Sequence, residues 1–170
     1  MENQRPSILA AEEMLATGEH ELFVVSPPDM VIPPWHQSLH QWAQDHEIPN
    51  AQPEDVNSDS FFRVASAFDP DLVLSVFYNQ VLQARMLNLP RVGALNVHPS
   101  LLPAYRGSGV LIWALMDGVK EVGITIHHMV ERVDAGAIVL RRAIGVAPGG
   151  TGIKVYDRVS DLIPEVFRDE

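Results

Sequence analysis

The sequence predicts an α/β fold, in which a doubly wound, mostly parallel sheet carries helices on both faces. Short apolar runs typical of buried strands alternate along the chain with longer segments whose apolar residues recur at helical spacing. Doubly wound folds normally begin with a strand. Residues 1–7 contain no apolar run, however, and the first periodic segment is a helix. We therefore expect a sheet that lacks the usual first strand, within a single domain over residues 1–170.

Helix signals dominate the first part of the chain. Ser7 and Gly18 stand where the caps of a helix belong. Trp35, Leu39 and Trp42 fall on one face of a second helix, beyond a proline-rich loop. The apolar run between these segments is typical of a strand. The signals predict helix 8–17, strand 21–25 and helix 35–46.

Helices and buried strands then alternate to the end of the chain. Ser58 or Asp59 caps one helix, Thr151 caps the last, and Pro164 is expected to kink or interrupt that last helix. Four apolar runs indicate strands, and the motif Arg-Val-Asp-Ala-Gly lies between the last two of them. The predicted elements are helix 59–68, strand 71–76, helix 81–89, strand 93–97, helix 110–117, strands 122–129 and 137–144, and a helix from residue 151 toward residue 167.

Composition indicates in which compartment the protein works and what kinds of partner it has. The chain has no cysteine, a net charge of −10 and no apolar stretch long enough to span a bilayer. Phosphate binding depends on clustered lysine and arginine, so the acidic balance disfavours a nucleic-acid surface. We expect a cytoplasmic protein with a small-molecule partner and no membrane contact. Composition leaves the formation of a homo-oligomer open.

Three polar residues suit acyl-transfer chemistry. Asn96 and His98 are two positions apart at the end of a predicted strand, so their side chains share a face. Such donors stabilise the oxyanion of a tetrahedral intermediate, and Asp134 is placed to accept the proton that an attacking amine loses. By itself this pattern is weak evidence for catalysis, because an aspartate close to a glycine, as in Asp-Ala-Gly, is commonly a turn residue. His127 and His128 point to opposite faces of a strand, so we expect no metal site there.

The motifs around these residues resemble those of a known family. The segments VGALNVHPSLLPAYRG, GITIH and RVDAGAIV are similar to the folate-dependent formyltransferases, which include glycinamide ribonucleotide, methionyl-tRNA and sugar-nucleotide formyltransferases. The resemblance is strongest from Leu74 to Val139. It implies a Rossmann-like fold, 10-formyltetrahydrofolate as the formyl donor, and a catalytic set of Asn96, His98 and Asp134.

The resemblance also implies two groups of binding residues. The folate donor would enter a pocket between the segment after one strand and the loop that carries the aspartate. The amine acceptor would be bordered by the loop after the Asn-x-His motif. The predicted folate-binding residues are Phe77, Tyr78, Val81, Arg132, Val133, Ala135 and Gly136, and the predicted substrate-binding residues are Ser100, Leu101, Leu102, Pro103, Tyr105 and Arg106.

Several acceptors and activities remain open at this point. The segment from Thr125 to Val139 is most similar to the sugar-nucleotide branch, which predicts an amino-sugar nucleotide as the small amine acceptor. A methionyl-tRNA acceptor is the second candidate. Hydrolysis of formyltetrahydrofolate and folate binding without turnover are further alternatives. Pro99 stands where relatives often carry glycine, so acceptor specificity is not carried over from the family.

Overall fold

The computed structural model describes residues 4–28, 37–147, 149 and 151–168. Within these residues the chain forms seven helices and six strands, which largely alternate along the sequence. The elements are α1 (Arg5–Ala16), β1 (Val24–Val25), α2 (Leu39–Asp45), β2 (Asn50–Ala51), α3 (Asp59–Phe68), β3 (Leu72–Val76), α4 (Ala84–Leu87), β4 (Gly93–His98), α5 (Val110–Met116), β5 (Glu121–His128), β6 (Ile138–Gly145), α6 (Gly152–Ser160) and α7 (Leu162–Arg168).

The strands form two separate sheets. In the first, β1 pairs with β2 in parallel, and in the second the order is β3-β4-β5-β6. The α/β fold class is confirmed. Parallel pairing is restricted to β1–β2 and β3–β4, and β5 adds antiparallel to both β4 and β6. The β5–β6 connection spans only residues 129–137, which is shorter than the dozen or more residues that a parallel crossover needs.

Several element boundaries differ from those expected. α1 begins at Arg5, before the predicted start, because Pro6 is favourable in the first turn of a helix. Ser7 therefore lies inside α1 and is not its cap; its hydroxyl donates to the Val76 carbonyl of β3 at 3.0 Å. In α2, Ser38 caps the helix by accepting from the Gln41 amide. Trp35 lies outside the described residues.

Two other differences have simple local causes. β2 was not predicted, since two residues, one of them asparagine, give no apolar run. The last predicted helix is divided at Asp161 into α6 and α7. Pro164 then falls in the first turn of α7, where its missing N–H needs no helical partner. The expected interruption is thus confirmed, three residues before the proline.

The main core lies between the four-stranded sheet and the terminal helices. Val97, Ile124, Val159 and Ile163 are completely buried there, and α1 packs against α7. β5 is the most buried strand, with six consecutive buried residues from Val122 to His127. None of the described helices is long and apolar enough to cross a membrane.

Candidate active site

Three segments converge at the end of β4. Asn96 and His98 are on the same side of this strand, as their spacing predicted, and they lie opposite His127 and Thr125 of β5. Asp134 belongs to the connection between β5 and β6. The antiparallel hairpin folds this connection back over β4, which brings the three predicted catalytic residues into one cluster.

The Asp134 carboxylate is the centre of the cluster. Its Oδ1 accepts from Asn96 Nδ2 at 3.3 Å, and its Oδ2 accepts from the Gly107 amide at 2.7 Å. His98 Nδ1 lies 3.6 Å from Oδ2. The side chains of Asp134 and His98 are only 7% and 5% exposed. Because few waters reach them, charges and dipoles in this cluster interact more strongly than at the surface.

His127 is a fourth member of the cluster that the sequence did not identify. Its Nε2 lies 3.4 Å from Asp134 Oδ1 and 3.2 Å from Asn96 Nδ2. Its Nδ1 lies 2.8 Å from the His128 carbonyl oxygen, which accepts a hydrogen bond from the ring. Strand alternation correctly separated His127 from His128, but only the pairing of β4 with β5 shows which of the two faces the site.

The two histidines have opposite charge preferences. Burial lowers the pKa of His98, and this outweighs the Tyr105 carbonyl and the Asp134 charge, which favour the imidazolium. Burial also acts to lower the pKa of His127, but its hydrogen bonds to Asp134 and to the His128 carbonyl raise it overall. Thus the site favours the charged form of His127, beside Asp134, and the neutral form of His98. Burial would raise the pKa of Asp134, but His127 and the Gly107 amide lower it.

His98 is held in one tautomer. Its Nε2 lies 2.8 Å from the Tyr105 carbonyl oxygen, which has no proton to give, so Nε2 carries the hydrogen and donates it. In the neutral ring, Nδ1 is then a proton acceptor on the side of Asp134. Tyr105 acts through its backbone here, while its hydroxyl donates to Asp117 at 2.8 Å.

The turn that carries Asp134 requires its glycine. Asp134 has a left-handed backbone with φ of 50°, and the Ala135 amide donates to the Arg132 carbonyl at 3.2 Å. A Cβ atom on Gly136 would lie 1.8 Å from the His128 carbonyl oxygen. The sequence Asp-Ala-Gly therefore makes a turn and also aims the carboxylate into the site, so its two interpretations are compatible.

The loop after β4 is anchored by a buried hydroxyl. Thr125 is completely buried; its Oγ1 accepts from the Leu102 amide at 3.1 Å and donates to the Ser100 carbonyl at 2.7 Å. Arg141 donates to the Leu102 carbonyl at 3.0 Å. These bonds hold the loop that delivers the Tyr105 carbonyl to His98.

Replacing Thr125 with valine should destabilise the protein. Valine has nearly the same shape but leaves the Leu102 amide and the Ser100 carbonyl unpaired, at a cost of about 1–3 kcal/mol for each buried group. Urea unfolding measures the loss of unfolding free energy. Thr125→Ser keeps the hydroxyl and is the matched control; equal stability of the valine and serine variants would contradict this account of the anchor.

The predicted substrate residues divide into two groups. Ser100 and Leu102 are buried, and Ser100 Oγ donates to the Ala104 carbonyl at 2.9 Å, so both stabilise the loop internally. Leu101 is half-buried, and Pro103 and Arg106 are exposed. The Arg106 guanidinium makes no hydrogen bond with any other described residue and precedes the glycine that binds Asp134. Of this set, the exposed members are the ones able to contact an acceptor.

Of the predicted folate residues, Phe77 and those of the turn that carries Asp134 adjoin the cluster. Val76 pairs with Val97, so Phe77 follows at the level of His98, with φ of 52° and its ring centroid 6.0 Å from that of Tyr156. Val81 and Val133 are 58% and 45% exposed. These two residues expose apolar surface, and their role in folate binding stays a prediction. The remaining members are half-buried Tyr78, Ala135 and Gly136 and exposed Arg132.

A histidine titration tests the charge assignment. His98 should titrate below, and His127 above, the ordinary imidazole pKa of about 6.5. In Asp134→Asn, His127 loses the bond and charge that raise its pKa, so its titration should move to lower pH. NMR of the imidazole rings measures both values. An unmoved His127 titration would disprove the pairing.

The ion pair between Asp134 and His127 also makes the unfolding free energy depend on pH. The ion pair stabilises the fold between the lowered pKa of Asp134 and the raised pKa of His127, where both groups are charged. The difference in unfolding free energy between the natural chain and Asp134→Asn should therefore shrink as pH rises through the His127 pKa. It should also shrink as pH falls through the pKa of Asp134.

The fold is shared with solved formyltransferase structures. Glycinamide ribonucleotide transformylase 1 from Symbiobacterium toebii superposes with a TM-score of 0.80, covering 99% of this chain and 82% of that chain at 23% identity. Phosphoribosylglycinamide formyltransferase from Bacillus halodurans gives 0.79, covering 96% and 86% at 20% identity. At this level of identity the likeness concerns the fold.

The sequence also shows the family. The chain belongs to the formyl transferase family, whose model matches residues 11–169. Methionyl-tRNA formyltransferase from Geobacter sulfurreducens is 34% identical over 91% of this chain and 50% of its own length. GDP-perosamine N-formyltransferase from Brucella melitensis is 39% identical over 60% of this chain and 39% of its own length. The chain thus spans about half the length, or less, of these curated relatives.

Proposed function

We propose that the protein transfers a formyl group from 10-formyltetrahydrofolate to an amine, with Asn96, His98 and Asp134 as its catalytic residues. The observation that carries this proposal is the buried cluster in which one carboxylate is held by an asparagine amide, a backbone amide and His127, with His98 Nδ1 3.6 Å away. Membership of the formyl transferase family supports the type of group transferred.

Asn96 stabilises charge on the formyl oxygen in this proposal, and His98 joins it as a donor once its Nδ1 has taken up a proton. When the amine nitrogen bonds to the formyl carbon, the carbonyl oxygen gains negative charge, and prealigned donors lower the energy of that state. Asn96 Nδ2 carries two hydrogens, of which Asp134 Oδ1 accepts one. The pairing with Asp134 fixes the orientation of the amide in advance, so little reorganisation is needed during the reaction.

The proton of the incoming ammonium needs an acceptor. Neutral His98 presents Nδ1 on the side of Asp134, and the Asp134 carboxylate lies 3.6 Å away. Either group is placed to remove this proton before the amine attacks. After attack the acceptor nitrogen loses a second proton to His98 or Asp134; as the bond from the formyl carbon to the donor nitrogen breaks, that group passes the proton to the donor nitrogen, which leaves as an amine.

The donor-binding segment fits a partly apolar, anionic molecule. When bound, 10-formyltetrahydrofolate supplies the formyl carbon and oxygen. Val81 and Val133 would cover apolar ring surface, and the exposed Arg132 guanidinium suits a carboxylate. The carbonyl and amide groups of the turn from Arg132 to Gly136 offer hydrogen bonds to a flat heterocycle.

For the acceptor, we propose an amino-sugar nucleotide. The match to GDP-perosamine N-formyltransferase is the observation that favours this class. The exposed Arg106, next to the glycine that binds Asp134, is suited to a phosphate of such an acceptor. A methionyl-tRNA acceptor is the second candidate, since methionyl-tRNA formyltransferases match over most of this chain.

The function is tested by an acceptor panel. The purified chain is mixed with 10-formyltetrahydrofolate and, separately, amino-sugar nucleotides, glycinamide ribonucleotide and methionyl-tRNA, while tetrahydrofolate release is followed. We expect release that depends on an amino-sugar nucleotide and is lost in His98→Ala. Release without any amine would indicate a hydrolase, and folate binding without release would indicate a binding module; either result would overturn the proposal.

A further inference from the structure

Tyr105 joins the loop after β4 to α5. Its backbone carbonyl accepts the hydrogen bond of His98 Nε2 at 2.8 Å, and its hydroxyl donates to the Asp117 carboxylate, also at 2.8 Å. Asp117 is the residue that caps the C-terminal end of α5. Thr125 holds the same loop at Leu102, so the bond to Asp117 is a separate attachment three residues farther along. One side chain thus connects the end of a surface helix to a ring of the active site.

Tyr105 has an unfavourable backbone conformation. Its φ of 54° lies in the left-handed region, which a residue with a bulky side chain rarely adopts. Such residues persist where the surrounding contacts hold them, and they are concentrated at functional sites. Tyr105 is held at both ends, by the hydrogen bond to its carbonyl and by the one from its hydroxyl. Because the direction of the carbonyl depends on the backbone, a bond that restrains the side chain also restrains the acceptor for His98.

The position of Asp117 is unfavourable for α5. The C-terminal end of a helix carries a partial negative charge, which repels a carboxylate placed there. The turn that ends the helix is made by Gly118, which has φ of 68° and whose amide donates to the Leu115 carbonyl at 3.1 Å. The carboxylate is therefore not needed to end the helix. The bond from the Tyr105 hydroxyl is the contact that accounts for an acidic residue at this position.

Side-chain packing does not fill the space between the loop and α5. A cavity of about 310 Å³ lies there, lined by Leu101, Ala104 and Tyr105 from the loop and by Leu111 and Ala114 from the helix. Close-packed regions of a protein leave few voids larger than a water molecule, and packing fixes distances there. Across a cavity, the distance between loop and helix depends instead on the groups that bridge it. The hydrogen bond between Tyr105 and the end of α5 is such a bridge.

We propose that Asp117 is a positioning residue for His98 and acts on it through Tyr105. The bond to the tyrosine hydroxyl keeps the Tyr105 carbonyl where it accepts from His98 Nε2, so that Nδ1 of the neutral ring stays on the side of Asp134 as a proton acceptor. Asp117 itself takes no part in the reaction. This inference rests on the proposed role of His98 in formyl transfer, although the hydrogen on Nε2 is observable without turnover.

Two substitutions of Asp117 test the proposal by kinetics. Alanine removes the acceptor, whereas the side-chain oxygen of asparagine can still accept from the Tyr105 hydroxyl. In Asp117→Ala, kcat for formyl transfer by the full chain should fall about 10- to 10²-fold, with KM for the folate donor little changed. Asp117→Asn should keep kcat near that of the natural chain. Asp45→Ala is the matched control, because it removes a carboxylate from the C-terminal end of α2, where the partner is Gln41.

The hydrogen on His98 Nε2 provides a readout that needs no turnover. Because it is bonded to the Tyr105 carbonyl, NMR of the natural chain should show it in slow exchange with water. In Asp117→Ala this exchange should be faster on the order of tenfold or more, and Asp117→Asn should restore the natural rate. Tyr105→Phe keeps the ring and removes the hydroxyl, so it should act like Asp117→Ala. The double variant should show no further change, because both substitutions remove the same bond.

Urea unfolding separates positioning from a structural role. Asp117→Ala removes a charge that the helix end disfavours, so the free energy of unfolding should change little. A loss of activity that only follows the unfolded fraction would assign Asp117 a structural role and overturn the proposal. An unchanged exchange rate at His98 in Asp117→Ala would also overturn it. If the natural chain shows no formyl transfer, the proposed function fails, and the exchange rate of the His98 hydrogen still decides whether Asp117 positions the ring.

Discussion

Replacing Asp134 with asparagine is expected to lower kcat for formyl transfer about 10²- to 10⁴-fold, the range for loss of a positioned acid–base group. Asparagine keeps the size of the side chain and can still accept from the Gly107 amide, which lies 2.7 Å from the carboxylate. It removes the negative charge that pairs with His127 and faces His98. Steady-state release of tetrahydrofolate in the presence of acceptor measures the effect.

The control for this variant is Asp161→Asn. Asp161 pairs with Arg5 at the junction of α6 and α7, where its side chain is 59% exposed. Exposed pairs of this kind contribute little to stability, so kcat should stay close to that of the natural chain. A kcat in Asp134→Asn equal to that of the control would show that the carboxylate has a structural role alone.

Replacing Asn96 with aspartate should lower kcat about 10²- to 10³-fold, which is the second large effect that we expect. The change removes the amide donor proposed for the formyl oxygen. It also places a second carboxylate at the 3.3 Å distance that now separates Asn96 Nδ2 from Asp134 Oδ1. Two carboxylates this close cannot both ionise easily, so one of them should titrate at raised pH.

The pH profile distinguishes this effect from simple misfolding. In Asn96→Asp, residual activity should follow a new titration that the natural chain does not show, because the two carboxylates share a proton. Asn88→Asp makes the same chemical change at an exposed position after α4 and is the control. A flat pH profile with full activity in Asn96→Asp would rule out an oxyanion role for Asn96.

Local sequence signals predicted most of the elements that build the site. The alternation in β5, the apolar run of β4 and the caps around α3 all depend on neighbours in sequence, and each element lies within a few residues of its expected place. The division of the sheet between β1 and β3 depends instead on which strands pair. That is a long-range property, and an apolar run such as LVLSV does not reveal how many neighbours its strand has.

The residues of the candidate site divide in the same way: local sequence identified some of them, and the role of others depends on contacts between distant segments. Asn96, His98 and Asp134 were found through spacing and motif resemblance, and the structure places Asn96 within hydrogen-bonding distance of Asp134 and His98 Nδ1 3.6 Å from its carboxylate. His127 was missed because its role depends on lying opposite Asn96 across two strands. Ser100 and Leu102 were expected to face substrate, but Thr125, distant in sequence, holds their backbone groups within the loop.

The fate of a labelled formyl carbon is the direct test of formyl transfer by this chain. The chain is given 10-formyltetrahydrofolate labelled in the formyl carbon together with the acceptor selected by the panel, and the products are separated and counted. We expect label in an amide of the acceptor, with little in Asp134→Asn and normal amounts in Asp161→Asn. Label found only in formate, or equal transfer by Asp134→Asn, would contradict this expectation.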